Sequence, residues 1–179
     1  MRYMNCIAPD KHFIMPEKKT LERAQEDKRE GKSASTQAGE FVKEQIDKIR
    51  AGKHGARSAK QAIAIGLSEA RRAGVGLKPP AKGKTSEKTR KSAESAYEKG
   101  QRHEPVSRTR SQATEKALQK EGTAAASHEA LSRQAKSAAK RRTATNRSNA
   151  ARKASVTKGP QERSAAARKA ATTRKMRTG

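Results

Sequence analysis

Aromatic residues are nearly missing from this chain: Tyr3, Phe13, Phe41 and Tyr97 are all that 179 positions hold, and there is no tryptophan. Aromatic side chains bury the most area per residue, so their scarcity excludes a large single core. With 31% hydrophobic and 34% charged residues, the composition lies near the disordered class, and any folded unit must be small. Cysteine is equally scarce. Cys6 alone excludes an internal disulfide framework and the paired thiols of a zinc module, and it suits a reducing cytoplasm. No stretch approaches the roughly 20 apolar residues of a membrane span. Cys6-Ile7-Ala8 is too short for a signal-peptide core, so neither membrane insertion nor export is expected.

Acidic residues are also few, and they are unevenly placed. The chain has 43 Lys and Arg against 18 Asp and Glu, a net charge of +25. Residues 1–80 contribute +7 of this and residues 81–179 the other +18. Over 130–179 there are fifteen bases and one acid, Glu162. The bases are Arg133, Lys136, Lys140, Arg141, Arg142, Arg147, Arg152, Lys153, Lys158, Arg163, Arg168, Lys169, Arg174, Lys175 and Arg177. A run this one-sided repels itself and is attracted to polyanions, because each phosphate it neutralises releases condensed counterions. No aromatic residue interrupts it to stack on single-stranded bases, which favours duplex DNA over a single strand and leaves RNA as the alternative.

Catalytic chemistry finds little to work with. His12, His54, His103 and His128 are scattered without metal-binding spacing, Cys6 has no base beside it, and no glycine-rich phosphate loop is present. Glu40 and Glu44, one helical turn apart, read as solvated partners of Lys43 and Lys48 rather than as a general acid and base. No catalytic residue, cofactor or metal site is expected, and the chain is not read as an enzyme.

The organisation is that of a mainly α protein: a small helical hairpin over about 35–78 and a largely disordered, Ala/Lys/Arg-rich C-terminal tail. Residues 1–14 read as an over-called leader, with Met15-Pro16-Glu17-Lys18-Lys19 as a second start. Residues 15–34 suit a polar, frayed helix. Within 35–80, Ser35 or Thr36 caps a first helix whose apolar face carries Ala38, Phe41, Val42, Ile46 and Ile49, with Gln45 inside the stripe. Gly52 ends it. Ser58-Ala59-Lys60-Gln61 has the form of a capping box and starts a second helix with Ala59, Ala62, Ile63, Gly66, Leu67, Ala70 and Ala73 on one face. Ile65 falls on another face, which calls for a second copy of the chain or a neighbouring helix to cover it. Phe41, Val42, Ile46, Ile49, Ile63, Ile65 and Leu67 are the expected core or dimer residues.

Residues 81–129 read as a linker with short helices near 91–99 and 112–120, and 123–142 as the helix the tail supports best. A faint 16-residue repeat joins Ser132-Arg133-Gln134-Ala135-Lys136, Ser148-Asn149-Ala150-Ala151-Arg152 and Ser164-Ala165-Ala166-Ala167-Arg168. Composition alone accounts for it, or it marks equivalent phosphate-binding modules. A local anion site is expected where Lys53, His54, Arg57 and Lys60 surround the N-terminus of the second helix, with Arg71 and Arg72 further along it.

The block KHGARSAKQAIAIGLSEARRAG over 53–74, with Met15-Pro16-Glu17-Lys18-Lys19 and Ser35-Thr36-Gln37-Ala38-Gly39-Glu40-Phe41, resembles a family of small basic bacterial proteins without an assigned activity. That resemblance implies Met15 as the start and a bacterial cytoplasm. The tail is similar in composition to linker-histone tails and to bacterial histone-like proteins. The expectation is a nucleoid-associated protein that binds DNA without sequence preference through backbone phosphates, with homodimerisation through the hairpin. An RNA- or ribosome-associated protein, and a protein-interaction hairpin with a solubilising tail, remain the alternatives. A membrane-surface peptide is disfavoured, because Leu131, Val156 and Met176 are too few to form an apolar face.

Overall fold

The computed structural model describes residues 16–157 and 159–178. The expected leader, with Tyr3, Cys6, His12, Phe13 and the Met15 start, lies outside the described residues, as does Lys158. In chain order the elements are α1 (Lys18–Arg29), α2 (Ala34–Arg50), α3 (Ala59–Arg72), α4 (Glu87–Gln101), α5 (Arg108–Gln119), a 3-10 turn (Ala124–Ala126), α6 (His128–Lys140), α7 (Ala144–Thr157) and α8 (Pro160–Thr178). No strand occurs among the described residues. The chain divides into one compact unit that runs to Gln134 and another that starts at Ala135.

In the first unit, the pair α2 and α3 forms where the apolar periodicity places it, except that α2 starts earlier: its N-cap is Ser33, and the expected caps Ser35 and Thr36 lie in its first turn. Ser58 Oγ accepts the Gln61 N–H at 3.3 Å, and Gln61 Oε1 accepts the Arg57 N–H at 2.8 Å. The capping box therefore closes one residue upstream of its usual partner. At the end of α2, Gly52 takes a φ of 69°, which leaves its N–H on the Ile49 carbonyl and the Lys53 N–H on the Lys48 carbonyl. His103 makes the same left-handed turn after α4, with a φ of 53°.

The hairpin is not alone, which corrects the expected architecture. α1 packs along α2, α4 along α3, and the 3-10 turn closes on both α2 and α3. Phe41 and Ala38 of α2 meet Ala24 of α1, Ala70 of α3 and Val75, with Leu21, Leu67 and Leu77 around them. A second cluster joins Ile49, Ala56 and Ala62 to Ala125 and Ala126. The helix expected to fray over 15–34 thus has a packed face, on which Thr20, Ala24 and Asp27 are buried.

The expected core also needs correction in detail. Phe41 and Ile49 are fully buried, whereas Val42, Ile46, Ile63, Ile65 and Leu67 are only half-buried. The reason is the seam of α3, where the small residues Ala59, Ala62, Gly66 and Ala70 are buried, with Glu69 and Arg71 beside them. Small residues there let two backbones approach, and the larger side chains are left on the shoulders. Along the face that Ile65 shares with Arg72, α4 supplies a neighbouring helix, with Gly100 against the Arg71 and Arg72 backbone.

The largest correction concerns the tail. Where composition suggested disorder, α6, α7 and α8 run through it. Alanine has the highest helix propensity, and Ser127 and Thr143 accept the N–H groups of Ala130 and Asn146 at 3.1 and 3.2 Å as N-caps. Local propensity and capping therefore order a backbone that has no core to join. The expected linker helices are longer than the periodicity indicated, at 15 residues in α4 and 12 in α5.

Candidate nucleic-acid interface

Two sets of bases were expected to meet phosphate, and the fold treats them differently. In the tail, Arg133, Lys136, Lys140, Arg141, Arg142, Arg147, Arg152, Lys153, Arg163, Arg168, Lys169, Arg174 and Lys175 are all exposed. Every described side chain of α7 and α8 is exposed as well, so these helices bury none of their described bases. The hydrogen bonds of two of the arginines are local: Arg141 donates to Ser137 Oγ at 3.1 Å and Arg147 to the Arg142 carbonyl at 3.1 Å.

The loop before α3 is reorganised relative to expectation. His54 is only 3% exposed. Its Nδ1 lies 2.9 Å from the Gly55 carbonyl and its Nε2 3.0 Å from Gln45 Oε1, so it is part of the interior and not of an anion site. Arg71 is also buried, its guanidinium donating to the Leu77 and Leu67 carbonyls at 3.1 and 3.4 Å and tying down the chain that leaves α3. Burial lowers its pKa, and no anion is needed to satisfy it. Arg72 is half-buried. What stays at the α3 N-terminus is Lys53, Arg57 and Lys60. Lys53 is 3.9 Å from the Glu17 carboxylate, and Arg57, whose side chain is 81% exposed, is 3.2 Å from Glu121. The loop itself is pinned, with the Gly55 and Ala56 N–H groups donating to the Leu118 and Gly122 carbonyls at 2.9 and 3.0 Å.

Between α1 and α2 lies a cleft of about 240 Å³ lined by charges of both signs. Arg23 faces Glu40 at 3.6 Å, Lys43 faces Asp47 at 3.1 Å, and the buried Lys48 is ion-paired with the buried Glu44. Glu44 also accepts the Glu17 N–H at 3.1 Å. The Arg23–Glu40 pair and the Glu17–Glu44 hydrogen bond tie α1 to α2, while the other two pairs lie within α2.

Sequence reasoning missed a buried polar chain. Gln45 donates to Glu69 Oε2 at 2.7 Å, while Glu69 Oε1 has no partner. Burial pushes the Glu69 carboxyl up to about 8, against the opposing pull of Lys48, and burial lowers the pKa of His54. Both shifts favour the neutral forms. With both groups neutral and the Gln45 amide turned over, Glu69 donates to Gln45, Gln45 to His54 Nε2, and His54 Nδ1–H to the Gly55 carbonyl. The one legible signal was Gln45 inside an apolar stripe.

A pH dependence follows. The folded pKa of Glu69 stands above its usual 4.5, so its contribution to stability is complete below that value and is lost as pH rises through about 8. His54 acts in the other sense, its contribution being present above its usual 6.5 and lost as pH falls. Glu69→Gln is therefore expected to be the more stable form at pH 9, by on the order of a few kcal/mol, with the advantage shrinking toward pH 5. Urea midpoints at pH 5, 7 and 9 measure it, and a difference that does not grow with pH contradicts the assignment.

Residues 25–83 match the model of a family of unknown function (DUF6496). The matched segment takes in the end of α1, all of α2 and α3 and the chain up to α4. It overlaps the block that carried the family resemblance, and it stops well short of the basic helices. No curated protein and no solved structure matches the chain. Among the described residues, no helix is long and apolar enough to cross a membrane, and no group of three or more His, Cys, Asp or Glu is arranged to hold a metal ion.

Proposed function

We propose that this protein is a histone-like, nucleoid-associated protein that binds DNA without sequence preference, by contacts between its basic helices and backbone phosphates. The observation that carries this reading is the charge of the C-terminal helices. Over 130–179, fifteen bases face one acid, and the described side chains of α7 and α8 are all exposed. Helices that bury nothing gain little from folding alone. They do gain from a polyanion, which relieves their self-repulsion and releases its own counterions. The tail bases are not set among the aromatic residues that stack on single-stranded bases, which supports a duplex as the partner.

The first unit has a different role in this proposal. It is a packed scaffold in which acids are interspersed with the bases, with Lys53, Arg57 and Lys60 as a minor phosphate contact at the α3 N-terminus. The test is a mobility shift with duplexes of unrelated sequence. The full chain is expected to shift them all at similar concentrations at low salt, and a chain ending at Gln134 to shift none of them there. Equal binding by the shortened chain, or a preference for structured RNA in direct competition, contradicts the proposal.

A further inference from the structure

The three tail helices begin at His128, Ala144 and Pro160, each start 16 residues after the last. That is the period of the sequence repeat, so each copy of the repeat is one helix, in the same register. Ser132, Ser148 and Ser164 occupy the fifth position of their helices. Ala135, Ala151 and Ala167 follow three residues later, and Lys136, Arg152 and Arg168 come next. Composition can produce matching letters, but it does not dictate that helix boundaries fall at the same interval.

At 100° per residue the repeat fixes which side chains share a face. On α8, Arg163 and Arg174 lie along one border, Arg168 and Lys175 lie along another about 120° away, and Lys169 falls outside this arc, on the far side of the helix. Between the borders are only Ser164, Ala167 and Ala171 in the body of the helix. On α7, Arg147 and Arg152 take the two borders, with Ser148, Ala151 and Ser155 between, and Lys153 lies on the far side as Lys169 does on α8. The first copy departs from this: α6 has Leu131 where the others have arginine, and Leu131 is half-buried within the first unit.

We propose that α7 and α8 are repeated modules that each lie in the major groove of duplex DNA, with the two basic borders on the phosphates of the two opposite strands. The proposal rests on the reading above that this protein binds duplex backbone, and adds to it the mode of binding. Charge complementarity selects the partner: two rows of cations on one helix match two flanking rows of phosphate. Geometry selects the groove. The B-form major groove is about 12 Å wide and admits one helix, whereas the A-form groove of duplex RNA is too narrow and deep for this approach. The narrow strip of Ser and Ala brings the helix axis close without offering the Arg, Asn or Gln that read base edges, which fits binding indifferent to sequence. α8, at 19 residues, is about 28 Å long, more than twice the width of the groove it would follow.

The test relocates charge without changing it. In the full chain, Arg163→Ala and Arg168→Ala are combined with Ala166→Arg and Thr173→Arg, which moves two cations from the borders to the far side of α8. Affinity for a duplex at 100 mM salt is expected to fall about tenfold or more, and the slope of log affinity against log salt to become shallower by about two. A second variant, Ala167→Leu with Ala171→Leu, keeps every charge and the helix propensity but fills the strip, and is expected to weaken binding similarly. Circular dichroism checks that both remain helical. Wild-type affinity in both variants overturns the groove mode while leaving backbone binding intact, and so does wild-type binding to duplex RNA as tight as to DNA. Failure of the wild-type chain to bind any duplex at low salt instead overturns the reading on which this one stands.

Discussion

Between 50 and 200 mM salt, the affinity of the full chain for duplex DNA is expected to fall by about 10³ to 10⁵, the loss appropriate to roughly six to ten phosphate contacts. The tail has more bases than that, and two neighbouring bases on one helix do not both reach phosphate in a rigid groove, so the estimate uses about half of them. The effect should reside beyond Gln134. Residues 135–179 carry fourteen bases and one acid, a net +13, while the 134 residues before them carry +12. The charge density of the tail is thus about three times greater, and the earlier bases are interspersed with acids that pair with them. A titration of both chains over four salt concentrations measures the two slopes. A full-length slope near zero would mean that phosphate neutralisation does not drive binding, and equal slopes would mean that the tail does not supply it.

How much of this is legible in the sequence differs from element to element. α2 and α3 are readable because their apolar residues follow the helical period and because Gly52 and Ser58 punctuate them. The partners of that pair are not. α1 shows only Leu21 as a large apolar residue, and it packs through Thr20, Ala24 and Asp27, which look like a solvated surface to any hydropathy pattern. α4 is held by Ala96 and Gly100, where the signal is smallness rather than hydrophobicity. His54 and Arg71 look like phosphate ligands because a charged side chain in a basic block reads as exposed. Their burial depends on Gln45, 9 residues before His54, and on the carbonyls of Leu67 and Leu77, pairings that no spacing rule predicts. The tail misleads for the opposite reason. Its absence of a core is legible, but helix formation by alanine needs no core. The 16-residue repeat is visible in sequence, but only the structure shows that the helix starts at His128, Ala144 and Pro160 share its period.

Gly66→Val is expected to destabilise the first unit strongly. A Cβ at Gly66 would lie 2.6 Å from Val42 Cα, on the backbone of α2 and not on a side chain that can rotate away. The two helices must then separate, opening the seam that seals Phe41, Ala38 and Ala70. Overpacking costs about 1–3 kcal/mol even where side chains can yield, so a cost of at least about 3 kcal/mol is expected here, a large part of the total for a domain of this size. Gly100→Ala tests the same idea at the α3–α4 contact, where the added methyl falls on the Arg71 carbonyl. In an open helix that change would stabilise by up to about 1 kcal/mol, and Gly39→Ala in α2, with nothing within 4 Å, supplies that control. The opposite signs of Gly39→Ala and Gly100→Ala therefore separate propensity from packing. Urea midpoints followed by far-UV circular dichroism give the global values, and tyrosine emission in a Tyr3→Phe background, which leaves Tyr97 as the one tyrosine, follows the release of α4. Stabilisation by Gly100→Ala equal to that by Gly39→Ala would show that α4 does not pack on α3 as described. The salt slope for duplex binding is expected to stay at the wild-type value in Gly66→Val, because the bases of α7 and α8 do not draw their geometry from the α2–α3 seam.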